Sequence, residues 1–215
     1  MKKQQFNFIV IEGNIGSGKT SLSKKIAADL NGKLILEEFA DNPFLPKFYK
    51  DAEQNAFPLE LFFMAERFQQ LSSESMKSDL FSEFSIADYS FFKSKLFSQN
   101  NLKEDELNLF NRLYSIMFTS IKNPNLLIYL HSEVSRLQEN IKKRGRDYEQ
   151  NIKDEYLKNI ENKYFDYLKK QTDFQVLMLD VSKVNFMKDE KIYNQIMNEI
   201  ENFEKDVRIK NLVLG

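Results

Sequence analysis

The stretch Gly13-Asn14-Ile15-Gly16-Ser17-Gly18-Lys19-Thr20 matches the pattern G-x-x-x-x-G-K-[ST] in full. It follows an apolar, β-rich run, Phe6–Glu12, and opens a helical pattern running from about Gly18 to Leu30. Glycines let successive backbone N–H groups turn inward as an anion-binding concavity, and the helix N-terminus adds partial positive charge. Gly13 through Thr20 are therefore expected to cradle the polyphosphate of a nucleotide. Lys19 would reach the β- and γ-phosphates, and the Thr20 hydroxyl would ligate Mg²⁺.

Outward from this loop, strands and helices alternate. Asn31-Gly32 stops the first helix, and residues 33–37 read as a second strand. Residues 43–49 fit a short helix. Residues 57–80 fit a long one with Pro58 in its first turn. Residues 84–88 form a third strand pattern, followed by helices around 89–99 and 103–121. Beyond Asn123-Pro124, Leu126–His131 is a buried strand, and a basic helix covers 133–144. A helix over 154–170, a fifth strand over 174–180 and a closing helix over 188–205 complete the chain. The alternation predicts an α/β fold, a five-stranded parallel sheet with helices on both faces. No linker or repeat interrupts it, so residues 1–215 are expected to form one domain.

Composition narrows the chemistry. The net charge of −1 suggests neither nucleic acid nor an anionic membrane as partner. The absence of Cys excludes disulfides, thiol catalysis and Cys-ligated zinc, and one histidine, His131, cannot build a histidine metal cluster. No secretory signal or membrane span fits the sequence, which predicts a cytoplasmic protein.

Among nucleotide-binding classes, a base-reading N-K-x-D is missing, and so is an apolar strand ending in Asp-Glu. Acidic residues stand instead at the ends of the second and third strands, Glu37-Glu38 and Asp88. These strands are expected to flank the first, where ligands bind at the carboxyl ends. A carboxylate there can accept the proton of an acceptor hydroxyl. Lys142-Lys143-Arg144-Gly145-Arg146 joins two helices as a basic loop with a glycine pivot. Such a loop suits a lid that spreads transition-state charge and excludes water. An ordinary cationic helix end is the plainer alternative.

These residues, taken together, resemble the deoxynucleoside kinases over nearly the whole chain. The matching segments are Ile11–Thr20, residues 37–45, Tyr49, Phe57–Arg67, Asp88-Tyr89-Ser90 and Arg144–Gln150. The resemblance is greatest to bacterial deoxyadenosine kinases, including the kinase domain that some bacteria fuse to a pterin pyrophosphokinase. It implies transfer from ATP, with Mg²⁺, to the 5′-hydroxyl of a deoxynucleoside, and a homodimer built on the helices over 57–80 and 103–121. It makes Glu37 the general base, with Glu38 the neighbouring alternative. It makes Asp88 a Mg²⁺ ligand, Tyr49 and Glu149 the holders of the sugar 3′-hydroxyl, and Arg144 and Arg146 the lid arginines. Glu60 and Arg67 would meet the base, seven residues apart on one helix face.

Two departures stand out. The family's acidic-Arg-Ser motif reads Asp88-Tyr89-Ser90, and Lys93, a turn further on, could replace the missing charge. The base-reading Gln is Glu60, which when ionised can only accept, and pairing with Arg67 would keep it ionised. That pair suits adenine's amino group, and equally guanine's N1–H with Arg67 on O6. Phe91 or Phe92 is a candidate for stacking on the base, with the core as the default for both. Two other functions share these features: a nucleoside-monophosphate kinase, and a nucleotide-dependent module without transfer chemistry.

Overall fold

The computed structural model describes residues 5–37, 42–76 and 84–215, and for 73–76 the backbone alone. Glu38 and the expected helix end over 77–80 lie outside the described residues. The strands are β1 (Phe8–Gly13), β2 (Lys33–Ile35), β3 (Ser85–Ala87), β4 (Leu126–His131), β5 (Gln175–Asp180) and β6 (Ile209–Val213). The helices are α1 (Lys19–Asp29), α2 (Leu45–Lys50), α3 (Ala52–Met76), α4 (Phe92–Asn101), α5 (Glu104–Phe118), α6 (Val134–Arg144), α7 (Asp154–Lys170) and α8 (Glu190–Glu201). A 3₁₀ turn, Asp147–Glu149, lies between α6 and α7.

The sheet runs β2-β3-β1-β4-β5-β6, and every pairing is parallel. Two expectations are corrected here. Among the described residues there are six strands rather than five, because Ile209–Val213 adds to β5 as an edge strand. Its Lys210 and Asn211 break the apolar run that marks an inner strand, and Val213 is 74% exposed. The other correction concerns neighbours: β1 is flanked by β3 and β4, with β2 one place further out. The end of β2 still reaches the centre, because Asp88 after β3 donates its N–H to Ile35 O at 3.1 Å.

Alternating side chains on β1 build two cores. Val10 joins Ala87, Leu127 and Tyr129 under α3, α4, α5 and α7. Ile9 and Ile11 join Ile86, Ile128 and Leu130 under α1 and α8. β4 is buried along nearly its whole length, as a strand covered on both faces must be. Each such aliphatic side chain contributes about 1.5–3 kcal/mol relative to exposure.

Helix boundaries follow their caps. The α3 helix starts earlier than Pro58 suggested, at Ala52, where Asp51 Oδ1 accepts from the Gln54 N–H at 3.3 Å. Pro58 is then an interior residue, tolerated although it cannot donate to the preceding turn. Asp189 caps α8, accepting from the N–H groups of Lys191 and Ile192. Phe91 and Phe92 belong to the core: Phe91 stacks on Tyr114 at 5.0 Å and Phe92 on Tyr167 at 4.3 Å, each ring 3% exposed.

Candidate active site

The loop between β1 and α1 closes on itself. Ser17 N–H donates to Asn14 O at 3.2 Å, and Asn14 Nδ2 is anchored on Leu157 O at 2.7 Å. Gly16 has φ +83°, and a Cβ there would stand 2.8 Å from Leu137 O of α6. Both the conformation and the close approach require glycine. Lys19 Nζ donates to Asn14 O at 2.9 Å, which bends the side chain over the loop. Burial pulls the Lys19 pKa down to about 8, helped by Lys93 and opposed by Glu12, Glu37 and Asp88. Beneath the loop, the fully buried Glu12 carboxylate accepts from Ser90 N (2.7 Å), Ser90 Oγ (2.6 Å) and Tyr164 OH (2.8 Å). That arrangement ties β1, the end of β3 and α7 together.

The carboxyl ends of β2 and β3 bring the predicted acids beside this loop. Thr20 Oγ1 donates to Asp88 Oδ2 at 2.5 Å, and Glu37 N–H donates to Asp88 Oδ1 at 2.8 Å. The Glu37 carboxylate is gripped from both sides. Arg67 gives Oε1 its Nε at 2.8 Å and its Nη2 at 2.7 Å, while Lys93 Nζ meets Oε2 at 2.5 Å. Burial by itself would raise the Glu37 pKa, but Lys93 and then Arg67 outweigh it and hold the group at about 2. The carboxylate is thus ionised at every physiological pH.

Lys93, one turn beyond Tyr89, thus places its ammonium on the Glu37 carboxylate. Tyr89 acts differently: fully buried, it donates its hydroxyl to Gln70 Oε1, and Gln70 Nε2 donates to Leu36 O at 2.9 Å. The pair braces the backbone just ahead of Glu37. Sequence reasoning missed Gln70, a polar residue on α3 with no motif to mark it.

Arg67 departs from expectation. It spends Nε and Nη2 on Glu37, and Nη1 on Ser94 Oγ at 2.8 Å, rather than pairing with Glu60. Glu60 is 1% exposed, accepts from Asn101 Nδ2 at 2.6 Å through Oε1, and leaves Oε2 buried without a partner among the described residues. Burial pushes its pKa up to about 7, against Arg67, the Asn101 hydrogen bond and Lys93. The expected permanently ionised Glu60 is thereby corrected: the cation that would hold it charged is committed to Glu37.

The expected basic loop is corrected to a helix end: Lys142, Lys143 and Arg144 form the last turn of α6, and Gly145, with φ of +72°, is the left-handed residue that stops it. Arg144 Nη2 and Arg146 Nη1 both donate to Glu149, the latter at 3.1 Å. Tyr49 packs on the same turn, its ring stacked on Tyr148 at 5.9 Å. Tyr49, Glu149, Arg144 and Arg146 are thus brought together as one cluster. A cavity of about 570 Å³ is lined by Lys19, Thr20, Arg136, Lys143, Arg144 and Arg146, a cationic space above the phosphate loop. A second, of about 860 Å³, is lined by Tyr49, Asn101 and Tyr156 among others, next to the partner of Glu60.

His131, at the end of β4, contacts Glu161 of α7 (3.1 Å) and Asp180 of β5 (3.2 Å). Among the described residues no three His, Cys, Asp or Glu side chains group as a metal cage, and no helix is long and apolar enough to cross a membrane.

A parallel sheet with this loop, a cation-bound carboxylate after β2 and two arginines beside the cationic cavity define a P-loop phosphotransferase. Residues 9–205 match the family model of the deoxynucleoside kinases. The chain is 30% identical to the deoxyguanosine kinase of Bacillus subtilis, over 90% of this chain and 96% of that one. It is 29% identical to the deoxyadenosine kinase of Lactobacillus acidophilus, over 95% and 98% respectively. The structure of deoxyadenosine kinase from M. mycoides with bound dATP superposes with a TM-score of 0.78 at 24% identity, covering 90% of this chain and 98% of that one. The chain belongs to the deoxynucleoside kinase family, and it is a phosphotransferase.

Proposed function

We propose that this protein transfers the γ-phosphoryl group of ATP to the 5′-hydroxyl of a purine deoxynucleoside, deoxyadenosine foremost, as a single-domain cytoplasmic salvage kinase. The observation that carries this reading is the Glu37 carboxylate, held by Arg67 and Lys93 and joined through Asp88 to Thr20 at the mouth of the phosphate loop. The loop N–H groups and Lys19 hold the donor phosphates. Glu37 accepts the 5′-hydroxyl proton. Its low basicity is tolerable, because the transferred group passes through a loose transition state in which little proton transfer is needed early.

Thr20 Oγ1 and the Asp88 carboxylate are hard oxygen donors side by side, a set that fits Mg²⁺ completed by phosphate and water oxygens. The ion supplies charge neutralisation between the phosphates when bound. Arg144 and Arg146 neutralise charge from the lid, and Tyr49 with Glu149 orients the sugar. The α3 helix, carrying Glu60 and Arg67, faces the base.

Assaying the four deoxynucleosides and dAMP with ATP and Mg²⁺ tests the reading. Formation of dAMP from deoxyadenosine is expected. Phosphorylation of dAMP alone would establish the monophosphate kinase instead, and slow ATP hydrolysis without product would establish a non-transferring module.

The active form is proposed to be a homodimer with an isologous interface. Leu109 (46% exposed), Leu113 (37%) and Ile116 (72%) form an outward stripe on α5, distinct from its core-facing Phe110 and Tyr114. Sedimentation is expected to show a dimer at micromolar concentration and a monomer for Ile116→Glu. A monomeric wild type would end the proposal.

A further inference from the structure

We infer that Glu60 chooses the base through its own proton: the protonated acid takes the edge of adenine and the carboxylate takes the edge of guanine. The inference rests on the proposal that α3, carrying Glu60 and Arg67, faces the base. Glu60 is almost wholly buried, and its two oxygens are unequal. Oε1 already accepts from Asn101 Nδ2 at 2.6 Å, while Oε2 has no hydrogen-bond partner among the described residues. A buried, charged oxygen without a donor is costly, so Oε2 is where a proton or a ligand's N–H must go.

The groups facing Glu60 leave that choice to the ligand. From α3 comes Arg67, already engaged with Glu37 and Ser94. From α4 come Asn101, which donates to Oε1, and Lys93, whose ammonium lies on Glu37. The Glu37 carboxylate follows β2, and α7 contributes the Tyr156 hydroxyl, bonded to Asn100 and Asn101. None of these supplies a donor to Oε2. With burial as the largest influence, the Glu60 pKa lies at about 7, so both forms are populated near neutrality.

The chemistry of the two edges is opposite. Adenine offers an acceptor at N1 and a donor at N6. Protonated Oε2 can donate to N1 while Oε1 accepts from N6–H. Guanine offers donors at N1 and N2, and the ionised carboxylate accepts from both. The wrong protonation state places donor against donor or acceptor against acceptor. The two complexes differ by one proton on Oε2, so the ionised enzyme takes up a proton from solvent when deoxyadenosine binds. Deoxyguanosine binding releases one from the protonated enzyme.

Linkage then fixes the test. If each base requires one form of the same group, the ratio of kcat/KM for deoxyadenosine to that for deoxyguanosine falls about tenfold per pH unit, whatever the pKa of that group. Titrations common to both reactions, such as those of the lid, cancel in the ratio. Measured from about pH 6 to about pH 8.5, the wild type is expected to show this slope, and Glu60→Gln, with a fixed donor and acceptor, a flat ratio in favour of deoxyadenosine. Calorimetry in two buffers of different ionisation enthalpy, on the wild type alone, is expected to show proton uptake with deoxyadenosine and release with deoxyguanosine. This second readout needs no variant to fold. A flat wild-type ratio with both purines turned over, proton exchange of one sign for both, or an undiminished slope in Glu60→Gln overturns the inference and leaves the kinase reading standing. Failure to phosphorylate any purine deoxynucleoside at any pH overturns both.

Discussion

Replacing Lys19 by alanine is expected to lower kcat by about 10²–10³-fold or more, the loss seen when one preorganised donor is removed from developing transition-state charge. Lys19 reaches back over the phosphate loop to Asn14 O and lines the cationic cavity above it, so its ammonium is presented to an anion rather than to the core. Its depressed pKa of about 8 adds a second expectation. Bound polyphosphate should raise that value, because a phosphate anion adds the counter-charge that burial withholds. The fold should survive, since the loop's anchors on Leu157 and Asn140 involve other atoms. Circular dichroism and a thermal melt beside steady-state kinetics check both parts. A Lys19→Ala enzyme with near-normal kcat would remove the phosphate-cradle assignment.

Glu37→Gln is expected to lower kcat by about 10²–10⁴-fold with little change in deoxynucleoside KM, the range for losing a positioned general base. Glutamine keeps an oxygen for Arg67 or Lys93 but removes the charge that balances them, two cations with side chains 4% and 9% exposed. The melting temperature should therefore fall as well, because buried cations are left partly uncompensated. Kinetics at saturating substrate and well below the melt separates the two effects. Should Glu38→Gln lose kcat while Glu37→Gln does not, the base is the neighbouring residue. Loss in neither places it elsewhere.

Much of this molecule was legible in the linear sequence, for reasons of local physics. Gly13 through Thr20 encode a backbone shape, and backbone shape depends on φ, ψ and the next few residues. The apolar runs at β1 and β4 announce strands covered on both faces. Glu37 and Asp88 end short strand patterns, so their place at the carboxyl edge of the sheet followed from strand direction alone. Lys93, a turn beyond the missing arginine, was found by helical spacing and does meet Glu37.

Other features depended on partners distant in the chain, and only the tertiary structure could decide them. The edge strand β6 has too mixed a sequence to announce itself, and pairing with β5 is what makes it a strand. The order β2-β3-β1 is a matter of crossover connections, which no local pattern records. Above all, helical spacing placed Glu60 and Arg67 on one face of α3, but could not say which carboxylate Arg67 would take. Glu37 arrives from the end of β2, thirty residues earlier in the chain, and wins the guanidinium. A cation satisfies the nearest buried carboxylate in space, not in sequence. That competition is what leaves Glu60 buried, one oxygen unpartnered and its proton in play.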